Sequence, residues 1–252
     1  MRGWWQEISG LVLPVACGGC GSPRTPLCER CAAALLDVRA RRVRPAPEPA
    51  GLPVVHAAAV YEDAVRAVLL AHKERGALGL AGVLGQALAG AVRAAARVPR
   101  DGPLLLVPVP SARRAVRARG HDAARRIALA AAGELRRSGT DARVVAVLRQ
   151  RRAVADQTGL SAPQRLANLR GALEVRGGAD GLLTGGRVVL VDDLMTTGAS
   201  LVEAARAVEA AMGESAGAAG GLPVPAIAGF AQPGVVAAVV ASSPASFEIN
   251  RN

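Results

Sequence analysis

The segment Arg187-Val188-Val189-Leu190-Val191-Asp192-Asp193-Leu194-Met195-Thr196-Thr197-Gly198-Ala199-Ser200-Leu201 constrains this chain more than any other. An unbroken β-branched and leucine run reads as a strand covered on both faces, the pattern of a parallel sheet. It delivers two adjacent carboxylates, a short Thr-Thr-Gly loop and then a helix start. The loop offers backbone N–H groups and hydroxyls to a phosphate, and the helix N-terminus adds its positive end. Carboxylates are wrong for holding phosphate and right for accepting hydrogen bonds from a diol. A sugar phosphate satisfies both halves, with ribose hydroxyls on Asp192 and Asp193 and a 5′-phosphate on Thr196, Thr197, Gly198, Ala199 and Ser200. No Gly-rich fingerprint of a nucleoside triphosphate or dinucleotide site accompanies it. A strand-to-helix turn with an acidic cap would explain Asp193 or Thr197 alone, but not the whole run.

The rest of the body repeats the alternation. Strands are expected at Leu104–Val109, Arg143–Leu148, Arg187–Val191 and Gly234–Ala241, and helices at Leu80–Arg97, Asp122–Arg137 and Ser200–Met212. Such alternation predicts a doubly wound α/β domain whose ligands sit beyond the carboxyl ends of its strands. Only 2% of residues are aromatic, so the core must be built from Val, Leu and Ala between closely approaching elements.

All four cysteines fall in one short stretch, as Cys17-Gly-Gly-Cys20 and Cys28-Glu-Arg-Cys31. Each C-x-x-C places two thiolates on one turn, and two such turns close a tetrahedral sulfur site for which zinc is the default ion. An iron–sulfur cluster, a pair of disulfides or a vestigial site would use the same residues. With no histidine or open ligand position nearby, the site reads as structural. The run Arg39 to Pro49, rich in Pro and Arg, reads as a boundary rather than an element. This divides the chain into a four-cysteine zinc module (1–38), a linker (39–53) and an α/β domain (54–252). Arg2 followed by Leu11 to Cys17 faintly resembles a lipoprotein signal, but Glu7 and Pro14 interrupt it. No membrane span is expected, since prolines at 223, 225 and 233 break the long uncharged C-terminal stretch. A cytoplasmic location is expected.

The segment 187–201 closely resembles the phosphoribosyl-diphosphate motif of type I phosphoribosyltransferases. Further segments resemble the ComF family: Tyr61 through Leu70-Ala71-His72-Lys73-Glu74-Arg75-Gly76; Val107-Pro108-Val109-Pro110; Arg117-Ala-Arg119-Gly120-His121-Asp122; Leu148-Arg149-Gln150-Arg151; and Asp156-Gln157-Thr158-Gly159-Leu160-Ser161 with Arg165, Asn168 and Arg170-Gly171. One departure is His121-Asp122, where the family shows an aromatic residue and Asn. The resemblance covers nearly the whole chain. It implies a type I phosphoribosyltransferase-like parallel sheet with helices on both faces, preceded by a small zinc-ribbon-like module. It also implies phosphoribosyl diphosphate as ligand, a role in competence-linked DNA uptake, a helicase partner and single-stranded DNA.

On this reading Asp192 and Asp193 are the catalytic acids, and the loop 196–200 holds the 5′-phosphate. Val109 closes a strand where the diphosphate loop would lie. Arg117 and Arg119 clamp the diphosphate or cap the following helix. Lys73, the only lysine, supplies a compact point charge. The Arg149–Arg152 run with Gln157, Thr158 and Gly159 reads as a mobile basic flap, or else as a solvated charged loop. If the protein is an enzyme, a nucleophile displaces diphosphate from C1 of the ribose while arginines and Mg²⁺ stabilise the leaving group. A variable hood, 54–79, would select the acceptor. A non-catalytic module that binds phosphoribosyl diphosphate and docks a protein through its zinc site is the first alternative. A basic DNA-handling protein is the second, although a net charge of +11 follows as readily from a general preference for arginine.

Overall fold

A computed structural model describes residues 15–96, 102–155, 159–218 and 235–248. Its central sheet has the strands β1 (Arg41–Val43), β2 (Val55–Val60), β3 (Leu104–Pro108), β4 (Ala142–Val144), β7 (Arg187–Met195) and β8 (Val236–Ser242), in the order β1-β2-β8-β7-β3-β4. All neighbours are parallel except β1, which caps one edge antiparallel to β2. A separate antiparallel hairpin pairs β5 (Leu148–Gln150) with β6 (Leu173–Val175). The helices are α1 (Glu29–Leu36), α2 (Asp63–Glu74), α3 (Ala81–Ala95), α4 (Arg113–Arg119), α5 (Ala123–Arg137), α6 (Ala162–Leu169), α7 (Ala199–Ala218) and the single turn α8 (Ala245–Glu248).

The mixed α/β architecture with a mostly parallel sheet is as the alternation predicts. Side chains of a strand alternate between faces, and β7 separates them cleanly. Val189 and Val191 pack with Ala128, Ala131 and Leu135 of α5 and Leu84 and Leu88 of α3. Val188 and Leu190 pack with Leu201, Ala204, Ala205 and Val208 of α7 on the other side. Helices therefore cover both faces. With so few aromatics, α3 and α5 pack through alanine and glycine: a Cβ on Gly85 would collide with the Ala130 side chain and lie 2.8 Å from the Ala131 amide nitrogen. Residues 78–95 form the one helical stretch, among those described, that is long and apolar enough to cross a membrane, and most of it is buried in this core.

Four expectations need correction. The strand expected over 143–148 is two strands, because Val145 donates to Leu106 O and Val147 turns back onto Val145 O, which breaks the ladder. The linker contains β1, whose Val43 is buried against the sheet while Arg41 and Arg42 face solvent. Pro45 and Leu52 of the same stretch pack against Gly198. The last long helix runs six residues further than expected, to Ala218, and the strand expected from Gly234 starts at Val236. Residues 97, 234 and 249–252, the N-terminal 1–14, the prolines at 223, 225 and 233, and 156–158 of the expected flap lie outside the described residues.

An ion pair between the buried Glu203 and the half-exposed Arg206 fastens the β5–β6 hairpin to α7. Glu203, 3% exposed, accepts the Leu173 amide at 2.9 Å and the Arg206 guanidinium at 2.8 and 2.9 Å, while Arg206 donates to Leu173 O at 2.8 Å. Burial alone would raise the Glu203 pKa, but Arg206 and the Leu173 and Gly171 amides outweigh it and hold it below the usual glutamate range. A depressed carboxylate contributes stability above its unfolded value, about 4.3, and loses it as pH falls through the folded value. Glu203→Ala is expected to cost about 2 kcal/mol at pH 7, because it leaves the buried Leu173 amide unpaired, while the half-exposed Arg206 turns to water. The deficit should shrink in acid, and urea titrations of both proteins at pH 7 and pH 3 measure it.

Candidate functional site

The crossover after β3 runs to β4 on one side and the crossover after β7 runs to β8 on the other, so connections diverge between two hydrogen-bonded neighbours. Ligands of open α/β sheets bind in the crevice this creates at the strands' carboxyl ends. Strand β3 ends at Pro108, opposite Val191, and the next two residues of β7 are Asp192 and Asp193. The proline at 110, which lacks an N–H, helps stop β3 short and leaves the acids without a partner strand on that side.

Alternation along β7 places Asp193 on the face shared with α2. Its carboxylate, 5% exposed as a residue, pairs with Lys73 Nζ at 2.7 Å. Asp193 also donates its amide to Asp192 Oδ1 at 2.8 Å. Desolvation, then the neighbouring Asp193 charge, pushes the Asp192 pKa well above the usual carboxylate range, and Lys73 opposes the rise. Burial pulls the Lys73 ammonium down, but the Asp193 and Asp192 charges outweigh it and raise its pKa. Lys73, the one lysine the sequence singled out, is thus the counter-ion of the acid pair across 120 residues of chain.

A carboxylate whose folded pKa lies above its unfolded value of about 3.9 costs stability progressively as pH rises through that window. Asp192→Asn keeps the acceptor for the Asp193 amide and removes the charge. It is expected to raise the thermal midpoint at pH 7.5 by a few degrees and to have little effect below about pH 4. Melting curves over that range measure the difference.

Past the acids, Gly198 takes a left-handed φ of +78° and α7 begins at Ala199. A side chain at 198 would be strained in that conformation, and its Cβ would lie 2.8 Å from Leu52 Cδ1. The residues from 194 to 201 line a narrow cleft beside Asp192, so the structure brings the expected phosphate loop and acid pair together. Arg165 of α6 reaches this loop and donates to Thr196 Oγ1 at 3.4 Å. The sequence names Arg165 only as one of the residues that carry the family resemblance and gives it no role, because its approach to the loop depends on how α6 folds back.

Other expected residues lie elsewhere. The Val109 amide donates to Val191 O at 2.9 Å and its side chain is buried, so it closes the sheet and has no free donor for a diphosphate. Arg119, its side chain 9% exposed, turns from the crevice to join α4 to α2, with Nη1 3.2 Å from Glu74 Oε1 and 3.5 Å from Lys73 O, and Nε 3.1 Å from Ala115 O. Arg117 lies instead in an open groove beside Pro108 and Pro110. Asp122, at the departure from the family pattern, caps α5 by accepting the Arg125 amide. His121 lies edge-on to the buried His72, with ring centroids 5.7 Å apart, and its Nε2 is 3.1 Å from His72 O.

The four cysteine sulfurs lie within 4.8 Å of one another, and none is in a disulfide. A tetrahedral ion with sulfur ligands at about 2.3 Å spaces its sulfurs about 3.8 Å apart; Cys20 Sγ and Cys28 Sγ are 3.6 Å apart. The Cys28 amide points at Cys17 Sγ at 3.3 Å. Ser22 helps lower the Cys20 thiol to about 5, whereas burial, then neighbouring thiols, pushes Cys31 up to about 12. Four crowded thiols split in this way need a cation to ionise together, and the donor set suits an ion such as zinc. The module packs on the site's own helix. A Cβ on Gly19 would touch Val68, and one on Gly18 would touch Ala71 and Leu80.

No protein-family model matches this chain, and no curated protein matches it significantly.

Proposed function

We infer that the protein binds phosphoribosyl diphosphate in the crevice between β3 and β7, through a domain of the type I phosphoribosyltransferase class, and that it is related to the ComF family. The observation carrying this reading is the Asp192–Asp193 pair, set at a switch point beside a glycine-turned Thr-Thr-Gly loop at the start of α7. Diol acceptors and phosphate donors sit end to end there, as one sugar phosphate requires. Lys73 holds Asp193 in place, and a ribose hydroxyl would donate to the carboxylate oxygens that remain. Arg165, beside Thr196, adds a guanidinium to the phosphate end. Mg²⁺ would arrive with the ligand and neutralise its diphosphate oxygens.

Transfer of the phosphoribosyl group to an acceptor is the catalytic extension of this reading, with diphosphate as leaving group. A competence-linked role, a helicase docked through the four-cysteine module and contact with single-stranded DNA rest on the family resemblance, whereas zinc rests on the two C-x-x-C pairs and their clustered sulfurs, and a cytoplasmic location is the reading of the sequence.

Thermal shift tests the binding. Phosphoribosyl diphosphate with Mg²⁺ at about a hundred times Kd should stabilise the fold by about 2.7 kcal/mol, and ribose without phosphates should not. Equal midpoints with and without the ligand up to millimolar concentration would count against the site.

A further inference from the structure

A second concave site lies one strand away from the acid pair. It is an open groove of about 520 Å³ at the carboxyl end of β3, walled by α4, the start of α5 and the β5–β6 hairpin. Five arginines line it, Arg113, Arg117, Arg125, Arg149 and Arg176, against one carboxylate, Asp122. That carboxylate is already engaged, since Asp122 Oδ1 accepts the Arg125 amide at 3.2 Å. Two of the arginines brace the walls. Arg113 donates to Gln150 O at 3.4 Å, tying α4 to β5, and Arg149 pairs with Glu174 at 2.9 Å. The guanidinium groups of Arg117, Arg125 and Arg176 have no partner among the described residues.

Three unpaired guanidiniums, each with five donors, face one pocket from three separate elements. All three are exposed and none is paired with a carboxylate of the described residues, so an anion in the groove gains both Coulomb energy and bidentate hydrogen bonds there. The pocket is too large and too highly charged for a single phosphate. Its lining contains no aromatic side chain, so it has no platform on which nucleic-acid bases stack. A compact chain of several phosphates matches its size, charge and lack of rings.

We propose that this groove is a binding site for a linear polyphosphate group of three or more phosphates, distinct from the acid-pair crevice. The class includes the free polyanion and the triphosphate end of a nucleotide. The site uses neither Asp192, Asp193 nor the loop after them, so it stands whether or not the phosphoribosyl reading does.

The test is titration calorimetry with inorganic tripolyphosphate at fixed ionic strength near 0.15 M, which screens diffuse charge effects. Five further arms use the exposed double variant Arg125→Gln/Arg176→Gln, the variant Asp192→Asn/Asp193→Asn, orthophosphate, ATP and a single-stranded oligonucleotide competitor. The wild type should bind tripolyphosphate with one site, and at least about tenfold more tightly than orthophosphate. The arginine variant should lose about tenfold or more in affinity, and the acid-pair variant should bind as the wild type does. ATP binding within a few-fold of tripolyphosphate would assign the triphosphate end of a nucleotide as one source, and markedly weaker ATP binding would assign the free polyanion. Unchanged affinity in the arginine variant would overturn the proposal. So would loss of binding in the acid-pair variant, which would place the polyanion in the crevice. Orthophosphate as tight as tripolyphosphate, or displacement by substoichiometric oligonucleotide, would also overturn it, the latter marking a nucleic-acid surface.

Discussion

Removing the metal from the four-cysteine module should lower the thermal midpoint by about 10 °C, corresponding to roughly 3 kcal/mol in a protein of this size. Among the described residues, the four-cysteine module contributes Leu35 and the partly buried Leu27, Ala34 and Leu36 to a cluster with Val68, Leu80 and Leu84. Without a cation, four thiols within 4.8 Å of one another cannot all ionise, and the turns at Gly18 and Gly19 lose the ligands that hold them against α2. Binding free energy at such a site is folding free energy. Cys31→Ser should cost more than Cys20→Ser, because Cys31 is 1% exposed and Cys20 lies at the surface. Metal analysis of the purified protein, with melting curves before and after chelation, measures both effects. One zinc per chain and a chelator-sensitive midpoint are expected. Visible absorption would indicate an iron–sulfur cluster, and sensitivity to reductant alone would indicate disulfides.

The same substitution at two glycines of one helix should change stability in opposite directions. At Gly90, in the interior of α3, an added Cβ meets nothing within 4 Å, so Gly90→Ala should stabilise by about 0.5–1 kcal/mol through helix propensity and backbone entropy. At Gly85 the added carbon would lie 2.8 Å from the Ala130 carbonyl carbon and the Ala131 nitrogen. That is backbone and cannot rotate away, so α3 and α5 must separate. Gly85→Ala should cost about 2–3 kcal/mol net of the propensity gain, and Gly85→Leu should prevent folding. Urea midpoints for the three variants decide the matter, and equal effects at 85 and 90 would contradict the close approach of the two helices.

The parts legible in the sequence are those whose chemistry is local. The run from Arg187 to Leu201 encodes strand, acids, turn and helix start in one stretch, and the cysteine pairs lie within a few residues of each other. Less local features were harder to read. Helices α4 and α6 have only seven and eight residues and bury almost no side chains, so apolar periodicity hardly marks them, whereas α2 does carry the helical spacing Val65, Val68, Leu69 and His72. The strand β1 has three residues and exists only because β2 has a free edge. Arg119 sits in a motif that suggests phosphate, yet Glu74 and two carbonyls from other turns claim it. The pairing of Lys73 with Asp193 required the fold, since the sequence marks Lys73 only by its being the sole lysine. Nothing in the sequence marks Glu203, because the β6 amide that it accepts comes from Leu173 on another element. The arginine groove assembles side chains from residues 113 to 176, a convergence that no spacing rule would have identified.

The most direct measurement of the central claim is titration calorimetry of the zinc-loaded protein with phosphoribosyl diphosphate and Mg²⁺, beside Asp192→Asn/Asp193→Asn. Both side chains in that variant keep their size and one carbonyl acceptor each, but each exchanges a carboxylate oxygen for an NH2 donor and Lys73 loses its counter-ion, so a melting curve of the variant accompanies the titration to show that it is folded. The account predicts one site per chain in the wild type and affinity at least about a hundredfold weaker in the variant, because two charge-assisted hydrogen bonds to the ribose hydroxyls are lost. Absence of binding by the folded wild type, or equal binding by both proteins, would contradict it.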